Sequence, residues 1–173
     1  MSGRILKFVV VLAAALIAGA AVAEETSHGG LVIKDAWARA TIGQGKTGAV
    51  YFSIANRGGK ADRLLAVETP VAKRADLHAH LVEGGIMKMR PVAEIEVAGR
   101  GTATLEPGAG HVMLMGLNGP LVEGARFTMT LVFESAGRVE IPVSVAGATA
   151  MRPAGHGGSG QGHGGMHHGS SKQ

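Results

Sequence analysis

The chain has 173 residues with 17 basic and 13 acidic side chains, and it contains no cysteine. A thiol nucleophile and a thiolate metal site are therefore excluded, and so is a blue-copper electron carrier, which needs a cysteine ligand. The charge is too balanced to suggest a nucleic-acid partner, and no serine lies in a Gly-x-Ser-x-Gly turn that would indicate a hydrolase.

The first 23 residues predict a signal peptide. Arg4 and Lys7 precede an apolar run over 8–17, and small residues follow at 21–23, which places cleavage before Glu24. A membrane anchor is the alternative, but the apolar run is short for a bilayer span. Removal of the signal leaves 15 basic against 13 acidic residues, a net charge of about +2. We expect a periplasmic protein.

Residues 24–147 predict one all-β domain. Apolar residues alternate with polar or small ones over 50–54, 126–133 and 139–145, which is the period of half-buried strands. Turn residues separate these runs, and no stretch keeps a helical period long enough for a βαβ unit. The pattern favours an antiparallel β-barrel or sandwich, with Met129 on an apolar face and therefore in the core.

Histidine and methionine are unusually clustered within this domain. Residues two apart share one face of a strand, so three short segments each present neighbouring side chains of these types. They are His78 with His80, Met87 with Met89, and His111 with Met113 and Met115. Thioether sulfur is soft and suits Cu(I), while imidazole binds copper in either oxidation state. A set of two histidines and two methionines therefore indicates a Cu(I) site.

The spacing of these residues is similar to that of a known family. Ten residues separate His78 from Met89, twenty-one separate Met89 from His111, and one separates His111 from Met113. The surrounding residues are Leu77-His78, Met87-Lys88-Met89-Arg90-Pro91, Pro107-Gly108 and Gly110-His111-Val112-Met113-Leu114-Met115-Gly116-Leu117. Over 32–145 the chain resembles the PCuAC copper chaperones.

The resemblance implies a cupredoxin-like β-barrel that binds Cu(I) through His78, Met89, His111 and Met113. It also implies that the protein delivers copper for the CuA centre of cytochrome c oxidase. The partners implied are the oxidase subunit that carries CuA and a Sco-type thioredoxin-like protein. Near the motif, we interpret Met87 and Met115 as hydrophobic shielding or spare donors. We interpret His80 as pointing outward or as lying just behind the ligands.

Residues 148–173 predict a flexible tail rich in Gly, His and Met, which we expect to be disordered. Its candidate ligands are His156, His163, Met166, His167 and His168. Two interpretations remain open: a Cu(II) site built from these imidazoles, or a solvated end with adventitious affinity for metal.

Two alternatives to delivery remain at this stage. A periplasmic copper buffer or resistance protein without a dedicated acceptor would use the same ligands, so the sequence discriminates poorly between storage and delivery. A copper enzyme of the histidine-brace type would need histidine at the mature N-terminus, where the predicted cleavage leaves Glu24. We therefore predict a protein that is not an enzyme, with Cu(I) in the folded domain.

Overall fold

The computed structural model describes residues 24–153, and this part of the chain is built from strands and turns, without a helix. Eleven strands follow one another: β1 Glu25–His28, β2 Leu31–Arg39, β3 Thr47–Asn56, β4 Asp62–Glu68, β5 Ala72–Glu83, β6 Ile86–Pro91, β7 Ile95–Val97, β8 Thr102–Leu105, β9 His111–Leu117, β10 Arg126–Phe133 and β11 Arg138–Ala146.

The strands form a single sheet in the order β6-β5-β9-β3-β2-β11-β10-β4-β7, while β1 pairs with β2 and β8 pairs with β3. All pairings are antiparallel except that of β11 with β2, which is parallel. The predicted all-β class is confirmed. The parallel pair consists of β2 and β11, which lie near the two ends of the domain. A parallel pair needs a long connection, and the chain between these two strands provides it.

Alternating burial gives the sheet an inner and an outer face. In β9, Val112 and Leu114 are completely buried, while Met113 between them is half-buried. The inner face encloses the main core, which includes Phe52 of β3 and Leu131 of β10. Met129 is completely buried in the same core, as the alternation predicted. The outer face is therefore where the polar and sulfur-bearing side chains of β5, β6 and β9 lie.

The three strands predicted from alternation are present as parts of β3, β10 and β11. Residues 148–153, which the sequence assigned to the tail, continue past β11, and Arg39 donates a hydrogen bond from Nε to the carbonyl oxygen of Ala150 at 2.8 Å. The described residues contain no helix that is long and apolar enough to cross a membrane. The predicted signal peptide, 1–23, and the tail histidines lie outside the described residues.

A buried carboxylate joins the start of β4 to the β10–β11 turn. Asp62 is 6% exposed, and its Oδ1 accepts hydrogen bonds from the backbone N–H groups of Arg63 and Ser135 at 2.8 and 2.9 Å. Its Oδ2 accepts a third from the N–H of Ala136 at 3.0 Å. Burial opposes ionisation of this carboxyl, but the backbone donors outweigh it and hold the pKa of Asp62 below its usual range.

Candidate metal centre

The candidate ligands lie on the outer face of three neighbouring strands. In the pairing of β5 with β9, His78 lies directly opposite His111, and Asp76 lies directly opposite Met113. Directly opposed residues share one face of a sheet, with Cβ atoms about 4.5–5.5 Å apart. The register therefore brings two imidazoles and one thioether together from segments that are distant in the sequence.

The two imidazoles are close enough to act together. The ring centroids of His78 and His111 are 5.3 Å apart, and the ring planes are inclined at 45°. The close approach of the strands depends on Gly110, because a Cβ at this position would lie 3.2 Å from the carbonyl oxygen of His78. This distance is tighter than most Cβ contacts, so a side chain at Gly110 would push against the backbone of His78.

An aromatic wall borders His111 on the side of β3. The Tyr51 ring lies 6.3 Å from the His111 ring, and the Trp37 ring lies 4.7 Å from that of Tyr51. Both aromatic residues are buried in a small second cluster with Ala146. Arg39 stacks over the Tyr51 ring at 5.6 Å. The wall limits the access of water to one side of His111.

Burial lowers the pKa of His111 below its ordinary value of 6.5, and the positive charges that His78 and His80 would carry lower it further. A neutral imidazole has a free lone pair for a metal ion, whereas a protonated one has none. The environment thus keeps His111 in its metal-binding form at neutral pH.

The two methionines of the predicted ligand set differ in position. Met113 follows His111 by two residues on the same face and is half-buried. Met89 lies in β6 on the same face, but its cross-strand partner is His80, and the partner of His78 is Pro91. Met89 is therefore a diagonal neighbour of His78, a separation that a long side chain can bridge.

Met87, Met115 and His80, which lie next to the predicted ligands in the sequence, differ in exposure and contacts. Met87 is 64% exposed opposite Val82, so it covers little of the site. The Sδ atom of Met115 accepts a hydrogen bond from Nη2 of Arg74 at 3.1 Å. His80 shares the face of His78 and is close enough to influence the pKa of His111. In residues 24–153, no three histidine, cysteine or carboxylate side chains form a group that could hold a metal ion.

Sequence reasoning missed the residues that surround the imidazoles. Alternation in 50–54 places Tyr51 on the face opposite Val50, and the same period places Asp76 on the face of His78. These signals give the face of each residue, but they do not reveal that Tyr51 borders His111 or that Asp76 lies opposite Met113. Trp37 gave no signal of its own.

The lowered pKa of His111 gives a pH prediction. In the metal-free protein, an NMR titration of the His111 ring should show a midpoint below 6.5. Because the unfolded chain takes up this proton first, His111 should make the metal-free domain less stable as the pH falls below 6.5. A midpoint at or above that value would show that burial does not control this imidazole.

Comparison with known proteins gives the class and then the family. A copper-bound PCuAC domain from PmoF2 matches with 26% identity and a TM-score of 0.63, over 72% of this chain and 98% of that one. The Cu(I) form of DR1885 from Deinococcus radiodurans matches with 29% identity and a TM-score of 0.50, over 64% and 76% of the two chains. The fold is therefore that of the PCuAC domains, as the resemblance implied.

The family model described as "Putative lipoprotein LpqE-like" matches residues 31–145. A relative that is also described as a putative lipoprotein is Lxx21020 from Leifsonia xyli subsp. xyli (strain CTCB07). It is 30% identical over 117 residues, which are 66% of this chain and 69% of the relative. The chain belongs to the LpqE-like family.

Proposed function

We propose that this protein is an exported copper chaperone that binds Cu(I) at the outer face of β5, β6 and β9. The observation that carries the proposal is the direct opposition of His78 and His111, with rings 5.3 Å apart and Met113 beside them. An ion about 2 Å from one nitrogen of each ring fits between imidazoles at this spacing. Two structural neighbours, the PCuAC domain of PmoF2 and DR1885, are copper-bound forms, which agrees with copper as the transported ion.

The ligand set is His78, Met89, His111 and Met113. Two imidazoles and two thioethers are neutral, so they leave the charge of Cu(I) uncompensated and bind it less tightly than thiolates would. An acceptor with two cysteine thiolates would then remove the ion by ligand exchange. Release to such an acceptor, rather than any chemical conversion, is the proposed activity, so the protein is not an enzyme.

The proposed destination is the CuA centre of cytochrome c oxidase, reached directly or through a Sco-type thioredoxin-like protein. This step rests on the resemblance to PCuAC chaperones. Export to the periplasm rests on the predicted signal peptide, 1–23, and the lipoprotein names of the family and of the Leifsonia relative support export.

A second copper site, for Cu(II), is proposed on the tail, with His156, His163, Met166, His167 and His168 as ligands. The composition of the tail, which is rich in Gly, His and Met, supports this second site. The described part of the tail ends at Pro153, which lines a cavity together with Trp37 and Pro107. Pro153 therefore lies near the loop that precedes His111.

X-ray absorption on the full mature chain loaded with one equivalent of Cu(I) tests the proposed centre. We expect mixed nitrogen and sulfur scattering at copper. The sulfur contribution should fall in the His111→Ala, Met113→Ala double variant, because the change removes one of the two thioethers and half of the ligands of the proposed set. An unchanged spectrum in the double variant would rule out this ligand set.

A further inference from the structure

Arg74 holds two potential metal ligands beside the candidate centre. Its Nε lies 3.1 Å from Oδ2 of Asp76, and its Nη2 donates to Sδ of Met115 at 3.1 Å. Arg74 itself lies directly opposite Met115 in the pairing of β5 with β9. One guanidinium thus engages a carboxylate and a thioether on the face that carries the imidazoles.

Asp76 lies on the face of the sheet that carries the candidate ligands. It lies directly opposite Met113 and two residues before His78, so it shares the outer face with both. Its side chain is only 28% exposed. A carboxylate is a hard, charged oxygen donor, which suits divalent ions such as Zn(II) far better than it suits Cu(I).

We infer that Arg74 determines metal specificity: by holding Asp76 and Met115 it keeps the carboxylate out of the ligand set and so favours Cu(I) over divalent ions. The inference rests on the proposed function. Coulomb's law gives the direction, since a carboxylate without its guanidinium attracts a divalent ion twice as strongly as a univalent one. While Arg74 holds Asp76, this carboxylate does not group with His78 and His111. Once released, it could turn toward the two imidazoles and complete a set that is typical of zinc sites.

The ion pair contributes little to folding, which makes the inference testable. The Arg74 side chain is 66% exposed, and exposed ion pairs add little to the free energy of unfolding. Arg74→Ala should therefore fold normally. Arg138→Ala is a matched control, because Arg138 pairs with the exposed carboxylate of Glu68, and that pair includes no residue of β5, β6 or β9.

The experiment compares Zn(II) and Cu(I) binding by the full mature chain and its variants. Zn(II) is followed by NMR of the His78 and His111 rings, so that zinc on the tail histidines is not counted. In Arg74→Ala we expect Zn(II) affinity at these rings to rise about tenfold, with a smaller change for Cu(I), because residues around a metal site typically alter affinity about 10–100-fold. Adding Asp76→Asn should return Zn(II) affinity to the wild-type value.

Three other outcomes would contradict the inference, each for a different reason. Equal Zn(II) affinity in wild type and Arg74→Ala would show that Arg74 does not control specificity, although Cu(I) binding and the proposed function would stand. A rise that persists in the double variant would exclude Asp76 as the released ligand. If the wild-type rings did not respond to Cu(I) at all, the copper centre would fail, and the inference would fail with it.

Discussion

Replacement of His111 by alanine is expected to lower Cu(I) affinity by more than about a hundredfold, because even residues outside the ligand set typically alter metal affinity about 10–100-fold. The change removes one imidazole of the opposed pair and leaves His78 without its partner across the strands. The fold should survive, since the buried side chains of β9 belong to Val112, Leu114 and Leu117. Competition with a colorimetric Cu(I) chelator measures the affinity.

Two further histidine variants serve as controls. His28→Ala removes an imidazole from β1, which within residues 24–153 pairs only with β2, and it should leave Cu(I) affinity unchanged. His80→Ala should also retain the site, because His80 is not in the proposed set, although it lies directly opposite Met89. All variants keep the same tail, so copper bound there cancels in the comparison. Loss of the site in His80→Ala would show that His80 is a ligand, and unchanged affinity in His111→Ala would exclude His111.

The largest expected effect on stability comes from Asp62. We expect Asp62→Ala to lower the free energy of unfolding by about 3 kcal/mol, because hydrogen bonds to a charged group contribute about 1.5–3 kcal/mol each and their loss leaves buried donors unsatisfied. The donors affected are the N–H groups of Arg63, Ser135 and Ala136. Urea unfolding at neutral pH, followed by the fluorescence of Trp37, measures the change.

The pH dependence of this effect separates the carboxylate from general packing. A lowered pKa means that the folded state gains from ionised Asp62 above its usual value of 3.8 and loses this gain as the pH falls below it. The difference between wild type and Asp62→Ala should therefore narrow in acid. Glu68→Ala, which removes an exposed partner of Arg138, should change stability little at any pH. A constant difference down to strongly acidic pH would contradict the role of the charge.

Much of the fold could be predicted from the sequence because strand periodicity is a local property. Alternation identified parts of β3, β10 and β11, and it placed Met129 in the core, where it is completely buried. The same period placed His111 and Met113 on one face. The resemblance to the PCuAC chaperones implied their fold, which the structural neighbours confirm.

The parallel pairing of β11 with β2 could not be predicted in this way. A strand's neighbours depend on how the whole chain packs around the core, and local periodicity carries no information about that packing. The register between two strands also depends on how the whole chain packs. A shift of two residues would keep every side chain on its face and still change each partner.

The sequence by itself determined which residue types are present and which of them share a face, and this is enough to indicate a soft-metal site. Only the tertiary structure decided that His78 lies opposite His111, that Met89 faces His80, and that Arg74 holds Asp76 and Met115. The physical reason is that faces follow from the geometry of a single strand, whereas partners follow from the register between strands that are distant in the chain.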